Sequence, residues 1–179
     1  MKFARLLLRL VVGFLMFGHG TQKLFGWFGG GGVDGTAQMF EQLGLRPGRR
    51  NAIASGAAEA GGGALLIAGL ATPLAAATIV AVMLTAINRV HLKNGPWATN
   101  RGYEYNLVLI AAMLLLADAG PGGASIDAAL GIEQHGSGWA LAALLGGVAG
   151  AGAVHVAANT HAEQAPEPAG EPASAPAGA

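Results

Sequence analysis

The chain has 179 residues, 53% of them hydrophobic and 11% charged, with a formal net charge of zero. A charged fraction less than half the roughly 25% of soluble domains argues against a water-soluble globule, and zero net charge gives no general attraction for nucleic acid. The lack of cysteine excludes disulfide exchange, thiolate nucleophiles and cysteine-ligated clusters on this chain.

Apolar residues come in blocks rather than alternating with polar ones, which is the pattern of membrane spans. A first span is expected from about Leu6 to Leu24, behind the basic opening Met1-Lys2-Phe3-Ala4-Arg5-Leu6-Leu7-Leu8-Arg9. That opening resembles a signal peptide, but no small-x-small cleavage site precedes Gly18-His19-Gly20-Thr21-Gln22-Lys23, so a retained span is expected. Arg9, near its start, is expected to snorkel to the headgroups. Trp27 and Phe28, in the glycine-rich turn after this span, suit the interfacial aromatic belt. Thr36 to Leu43 predicts a short amphipathic helix with Met39, Phe40 and Leu43 on one side.

A second span is expected from about Asn51 to Leu70, carrying Glu59 and then Gly61-Gly62-Gly63, which permit close helix approach. Ala71-Thr72-Pro73 predicts a tight turn with Thr72 as N-cap and Pro73 as the first helical residue. Spans two and three therefore form an antiparallel hairpin. The third span stays apolar from Pro73 until Asn88, Arg89 and His91, and the fourth runs from about Tyr103 to Ala117 with Glu104 and Asn106 in its first turn. A short helix is expected at Ile126 to Leu130. Trp139 to Val156 is a fifth apolar stretch, rich in Ala and Gly. The expected fold is all-α: an integral membrane antiparallel four-helix bundle over 1–130, a fifth transmembrane helix within 131–160, and a disordered Pro/Ala/Glu-rich tail over 161–179. A multi-pass protein of the cell membrane is therefore expected, with the lipid bilayer as its first partner.

Antiparallel connectivity brings the polar residues of all four spans to one end. His19, Gln22 and Lys23 share a helix face at i, i+3 and i+4; Glu59, Asn88, His91, Glu104 and Asn106 fall in the same half of the bundle. Lys23 with Glu59 is the first expected ion pair, and His91 with Glu104 the second. Glu59, Lys23 and His91 have the chemistry for acid–base work on a polar head group such as a quinone carbonyl. His19, Gln22, Asn88, Glu104 and Asn106 are the candidate binding residues around it. Plainer roles stand beside these: His19 as an interhelical hydrogen bond, Glu59 and Lys23 as a closed structural pair, Lys23 snorkelling. Haem between His19 and His91 would need opposed imidazoles across a roomy pocket, which the spacing does not demonstrate. No metal-ligand cluster is evident. Arg46, Arg49, Arg50, Arg89, Lys93 and Arg101 are expected as interface anchors. Their side opposes the topology favoured by Lys2, Arg5 and Arg9; since first spans usually dominate, an N-terminus on the inside is expected.

Arg9, Gly13, His19-Gly20 with Lys23, Gly26-Trp27, Phe40, Leu43-Gly44, Glu59 with Gly62-Gly63, Gly69-Leu70 with Pro73, His91, Gly95, Trp97 and Glu104-Tyr105-Asn106 together resemble the DoxX family, over Met1 to Asp127. The resemblance implies a small four-span membrane protein. The family is named for relatives of the membrane subunit of a thiosulfate:quinone oxidoreductase, and some members are tied to membrane redox and oxidative-stress complexes. It thus implies a membrane subunit of a quinone-linked redox system, fed by a substrate or a redox partner protein. The alternative expectation is a non-catalytic carrier or scaffold for a small solute or partner protein.

Overall fold

The computed structural model describes residues 2–163, and among these it is helical with no strand. The tail expected over 161–179 lies outside the described residues, except that 161–163 continue the last helix. Seven α-helices occur in order: α1 (Lys2–Phe25), α2 (Gly32–Gln42), α3 (Gly48–Ala68), α4 (Thr72–Ala86), α5 (Glu104–Ala119), α6 (Ile126–Leu130) and α7 (Ser137–Glu163). A π-helical turn, Ile87–His91, and a 3₁₀ turn, Leu92–Asn94, extend α4.

Three segments are long and apolar enough to cross a membrane: Phe3–Phe25, Thr72–Asn94 and Ser137–Ala158. The other two expected spans differ from these for physical reasons. Helix α3 has the length, at 21 residues, but opens with Gly48-Arg49-Arg50-Asn51 and carries Glu59. Helix α5 has 16 residues, about 24 Å at 1.5 Å per residue, short of the roughly 30 Å hydrocarbon core.

The outward faces are apolar. On α1, Phe3, Leu7, Val11 and Phe14 are exposed along one stripe, while Arg9, Val12 and Met16 are buried. Exposed leucines and valines likewise cover α5 (Leu107, Val108, Leu115) and α7 (Leu141, Leu145, Val148). Water would penalise such a surface and lipid does not. Inside, α3 packs on α1 and α4, α5 packs on α4 and touches α1, and α7 lies against α4 and α5. Helix α7 makes that contact through Ala143, Gly147 and Ala151, buried residues spaced four apart on one face. Helix α2 lies across α1 and α3 at the end where Lys23 sits.

Close approach of α1 and α3 governs the packing. A Cβ on Gly20 would stand 2.5 Å from the Gly56 carbonyl oxygen, and one on Gly63 would stand 2.6 Å from that of Gly13. These backbones meet directly, the small-residue packing that membrane helices use when no hydrophobic force distinguishes protein from lipid. Of the three glycines in Gly61-Gly62-Gly63, only the third serves this seam. Gly62 faces Ile79 of α4, and Gly61 faces open space.

At the opposite end the polar groups are closed up. Helix α4 is not capped by Thr72, as the sequence suggested, but begins at Thr72 with Ala71 as N-cap in the left-handed region (φ 48°). The capping acceptor comes from a distant segment. Asp127 accepts from Ala71 N (2.9 Å), Thr72 N (3.3 Å) and Thr72 Oγ1 (3.3 Å), a carboxylate where helix N-terminal amides favour one. Arg9 does not snorkel. It is 2% exposed, and its guanidinium donates to the carbonyls of Pro121 (2.7 Å), Ala124 (2.6 Å) and Ile67 (3.4 Å). Gly69, in the left-handed region (φ 64°), leaves the space that guanidinium fills: a Cβ there would lie 2.6 Å from Arg9 Nη1.

Replacing Gly63 by leucine forces the α1–α3 seam apart and is expected to lower stability by about 1–3 kcal/mol, as overpacking does. Gly61→Leu, two residues away with open space around it, is expected to leave stability unchanged or raise it slightly. Thermal unfolding of the two variants in detergent distinguishes a packed seam from a generic dislike of leucine in α3.

Candidate functional site

The glycine seam brings the last turn of α1 against the middle of α3, and there Lys23 Nζ forms an ion pair with Glu59 Oε2. The Lys23 side chain is 20% exposed and that of Glu59 5%. Glu59 lies eleven residues into α3, roughly 16 Å from its N-terminus, so its charge depends on that partner.

Both side chains line a cavity of about 610 Å³, inside the roughly 300–1,000 Å³ range of small-molecule sites. It lies between α3, α4 and α7 and is covered at one end by Met39 and Phe40 of α2 and by Leu43 just after it. Its long wall is a single face of α4, from Leu74 through Thr78, Ala81, Val82 and Thr85 to Arg89 in the π-helical turn. The two threonines spend their hydroxyls on their own helix, Thr78 Oγ1 donating to Leu74 O and Thr85 Oγ1 to Ala81 O, both at 2.9 Å. That leaves the wall apolar along its length. Polar groups gather only at one end: Lys23, Glu59, Asn51, Ser55 and Arg89. The shape is a greasy slot with a charged head.

Not every residue that the sequence put at this end reaches the cavity. Lys23 and Glu59 do. His19 is exposed and bonds Gln22, Nδ1 to Oε1 at 3.1 Å; Gln22 also donates to Phe28 O at 3.4 Å. His91 Nδ1 donates to the Arg101 carbonyl at 2.7 Å rather than pairing with Glu104. Asn88 is exposed. Asn106 is buried and its amide reaches Met83 Sδ at 3.4 Å, on the α4–α5 contact. His19, Gln22, Asn88, His91, Glu104 and Asn106 all stand outside the cavity lining. Arg89 continues the helical stripe of Thr78, Val82 and Thr85 into the cavity, whereas Asn88 and His91, beside it on the π-helical turn, lie off that stripe. Among the described residues no three His, Asp or Glu side chains converge as a metal site.

Three participants were not singled out from the sequence. Arg89 was expected as an interface anchor, yet it continues the stripe of Thr78, Val82 and Thr85 that lines the cavity. Asn51, at the start of α3, donates to Pro47 O at 3.0 Å and lines the cavity. His155, on α7, accepts from Arg89 Nε at 3.0 Å. A histidine late in an Ala/Gly-rich stretch is a signal only after α7 is known to pack on α4.

Apolar outer faces and three membrane-length helices among the described residues define a helical membrane protein, here with a cavity whose polar groups gather at one end. The comparisons with known proteins then give the family. Residues 4–92 match DoxX. The Bacillus subtilis (strain 168) protein named "Putative oxidoreductase CatD" is 35% identical over 111 residues, covering 62% of this chain and 76% of that protein. This chain belongs to the DoxX family. No solved structure matches it. Lys23, Glu59 and Arg89 fall inside the matched residues, and α7 lies beyond them.

Removing one member of a buried pair strands the other. Lys23→Met is expected to destabilise the protein by about 3 kcal/mol, and adding Glu59→Leu to it should recover most of that loss. Thermal unfolding of the two single variants and the double variant measures the coupling. Additive losses would mean that the pair contributes nothing to the fold.

Proposed function

We propose that this protein is a multi-pass component of the cell membrane, a four-span bundle with α7 as a fifth span, that serves a quinone-linked redox system through the α3–α4–α7 cavity. The observation that carries this reading is the Lys23–Glu59 pair at the head of an otherwise apolar slot. A quinone has the matching form, a ring with two carbonyl acceptors and a long apolar tail. Support also comes from the family and from the printed name of the Bacillus subtilis relative.

A quinone, when bound, supplies a two-electron, two-proton couple. The chain's own residues have distinct tasks around it. Lys23 presents ammonium hydrogens that can bond a carbonyl oxygen while still held by Glu59. Glu59 has a carboxylate oxygen that can take and release a proton, and Lys23 holds it in place. Asn51 adds an amide at the same end. The wall of α4, with its hydroxyls turned inward to backbone carbonyls, excludes water from the tail. In this reading electrons come from a substrate or a partner protein, and the chain, which has no cysteine, contributes binding and proton transfer. His91, 2.7 Å from the Arg101 carbonyl, fits a positioning task in the loop after α4 better than proton transfer.

A non-catalytic carrier or scaffold is the second reading, favoured by the largely apolar lining of the cavity, in which the charged side chains are Lys23, Glu59 and Arg89. The two separate on Glu59→Gln. Wild-type protein purified in mild detergent is expected to retain extractable quinone, and Glu59→Gln to lose about tenfold in occupancy, the loss of one charged hydrogen bond. If wild type and variant both come out empty and melt alike, the redox reading is discarded in favour of the carrier or scaffold.

A further inference from the structure

Arg89 is the cation of the cavity without a carboxylate. Among the described residues the ion pairs are Lys23–Glu59 and Arg49–Asp34. The charged side chains lining the cavity are Lys23, Glu59 and Arg89, so two positive charges meet one negative and the lining keeps one net positive charge. Arg89 is fixed from its Nε edge, which donates to His155 Nδ1 at 3.0 Å. A ring nitrogen that accepts carries no proton, so His155 orients the guanidinium without adding a charge. Both Nη atoms remain without a hydrogen bond to the described residues, and they form the fork that grips a carboxylate bidentately.

Below that fork runs the apolar wall of α4. From Leu74 to Arg89 it is roughly 22 Å long at 1.5 Å per residue, more than the ~15 Å of one leaflet's hydrocarbon. The opposite wall is made of small residues of α7, Gly146 and Gly150, and of Val154. A neutral tail would use the wall and ignore Arg89. A phosphate monoester brings up to about two negative charges, where the lining offers one positive. A carboxylate with one alkyl chain matches both features.

We infer that the α3–α4–α7 cavity is a site for a single-chain fatty-acid-type carboxylate, with its head on Arg89 and its tail along α4, and that His155 is the positioning residue for that arginine. The inference stands on Arg89 and His155 and does not depend on the quinone reading. Arg89 lies within the residues matched to the family, whereas α7, which supplies both His155 and a wall, lies beyond them, so the positioning of that arginine is what α7 adds.

The test is equilibrium binding of palmitate against its chain-matched neutral alcohol, hexadecanol, to full-length protein in an uncharged detergent. Wild type is expected to favour palmitate by about tenfold or more, as one charge-assisted fork would give. Arg89→Gln should bring the ratio close to one while leaving hexadecanol binding unchanged, which also shows that the variant is folded. His155→Phe should lower the ratio and His155→Gln, which keeps an acceptor, should restore it; a purely structural histidine would move both ligands together. Ala54→Phe, which fills the cavity from α3, should weaken both. If Arg89→Gln does not fold, Arg89→Lys decides, because it keeps the charge and loses the fork. A wild-type ratio near one overturns the inference in favour of a neutral lipid or quinone tail. A ratio that survives Arg89→Gln overturns it in favour of an anion held elsewhere.

Discussion

Direct contact between the backbones of α1 and α3 sets the rest of the structure. Lipid cannot drive helices together by hydrophobicity, so close packing must do so, and Gly13, Gly20, Gly56 and Gly63 remove the side chains that would hold the axes apart. The seam has a chemical consequence one turn further on. A lysine in the last turn of α1 and a glutamate in the middle of α3 can pair only if the two helices lie this close. The ion pair, and with it the charged head of the cavity, depends on the glycines.

The two ends of the molecule answer the problem of buried polarity in opposite ways. At the α6 end, Asp127 accepts three hydrogen bonds from Ala71 and Thr72, and Arg9 donates to three carbonyls. Those groups hold the 120–127 segment onto α1, α3 and α4, with Arg9 Nε buried and left without a partner. At the α2 end, Glu59 bonds Lys23, and the two Nη atoms of Arg89 bond nothing among the described residues. A carboxylate has about four lone-pair sites and a guanidinium five N–H donors. The difference between the ends is where the unused capacity points: Arg9 is enclosed by protein, whereas Glu59 and Arg89 line a cavity.

Much of this was legible in the sequence. The helical segments are readable from apolar blocks and glycine or proline punctuation, and α6 from Ser125-Ile126-Asp127, with Ser125 Oγ accepting from Ala128 N. Glu59 and Lys23 stand out because an ionisable residue within an apolar run needs a partner. The rest was hidden for specific reasons. Arg9 looked like a snorkelling residue because two of its acceptors are carbonyls of a loop more than a hundred residues away, and carbonyls have no signature. Asn88, His91 and Glu104 were grouped with the site because they share its end of the bundle, but Asn88 is exposed, His91 bonds the Arg101 carbonyl and Glu104 on α5 stands outside the cavity lining. Arg89 was hidden by its company, since the basic residues near that end all read as interface anchors. Helix α7 was expected from the apolar run Trp139 to Val156, but its part in the cavity was hidden by composition, since Ala and Gly announce neither a wall nor a contact.

Placing the site on the flank of the bundle also constrains how it can work. A cavity at the centre of four helices would fill only by separating them, against the glycine seam. Here the seam lies between α1 and α3, while the cavity lies across α3 from it, against α4 and α7. The tight half and the open half share α3 and the Lys23–Glu59 pair, but not the same packing surfaces. Helix α7 packs on α4 closely, as α1 does on α3: a Cβ on Gly147 would stand 2.4 Å from Val80 Cγ1. The polar link from α7 to the cavity's cation is His155 to Arg89, so the helix that supplies one wall of the cavity also orients the arginine that faces it.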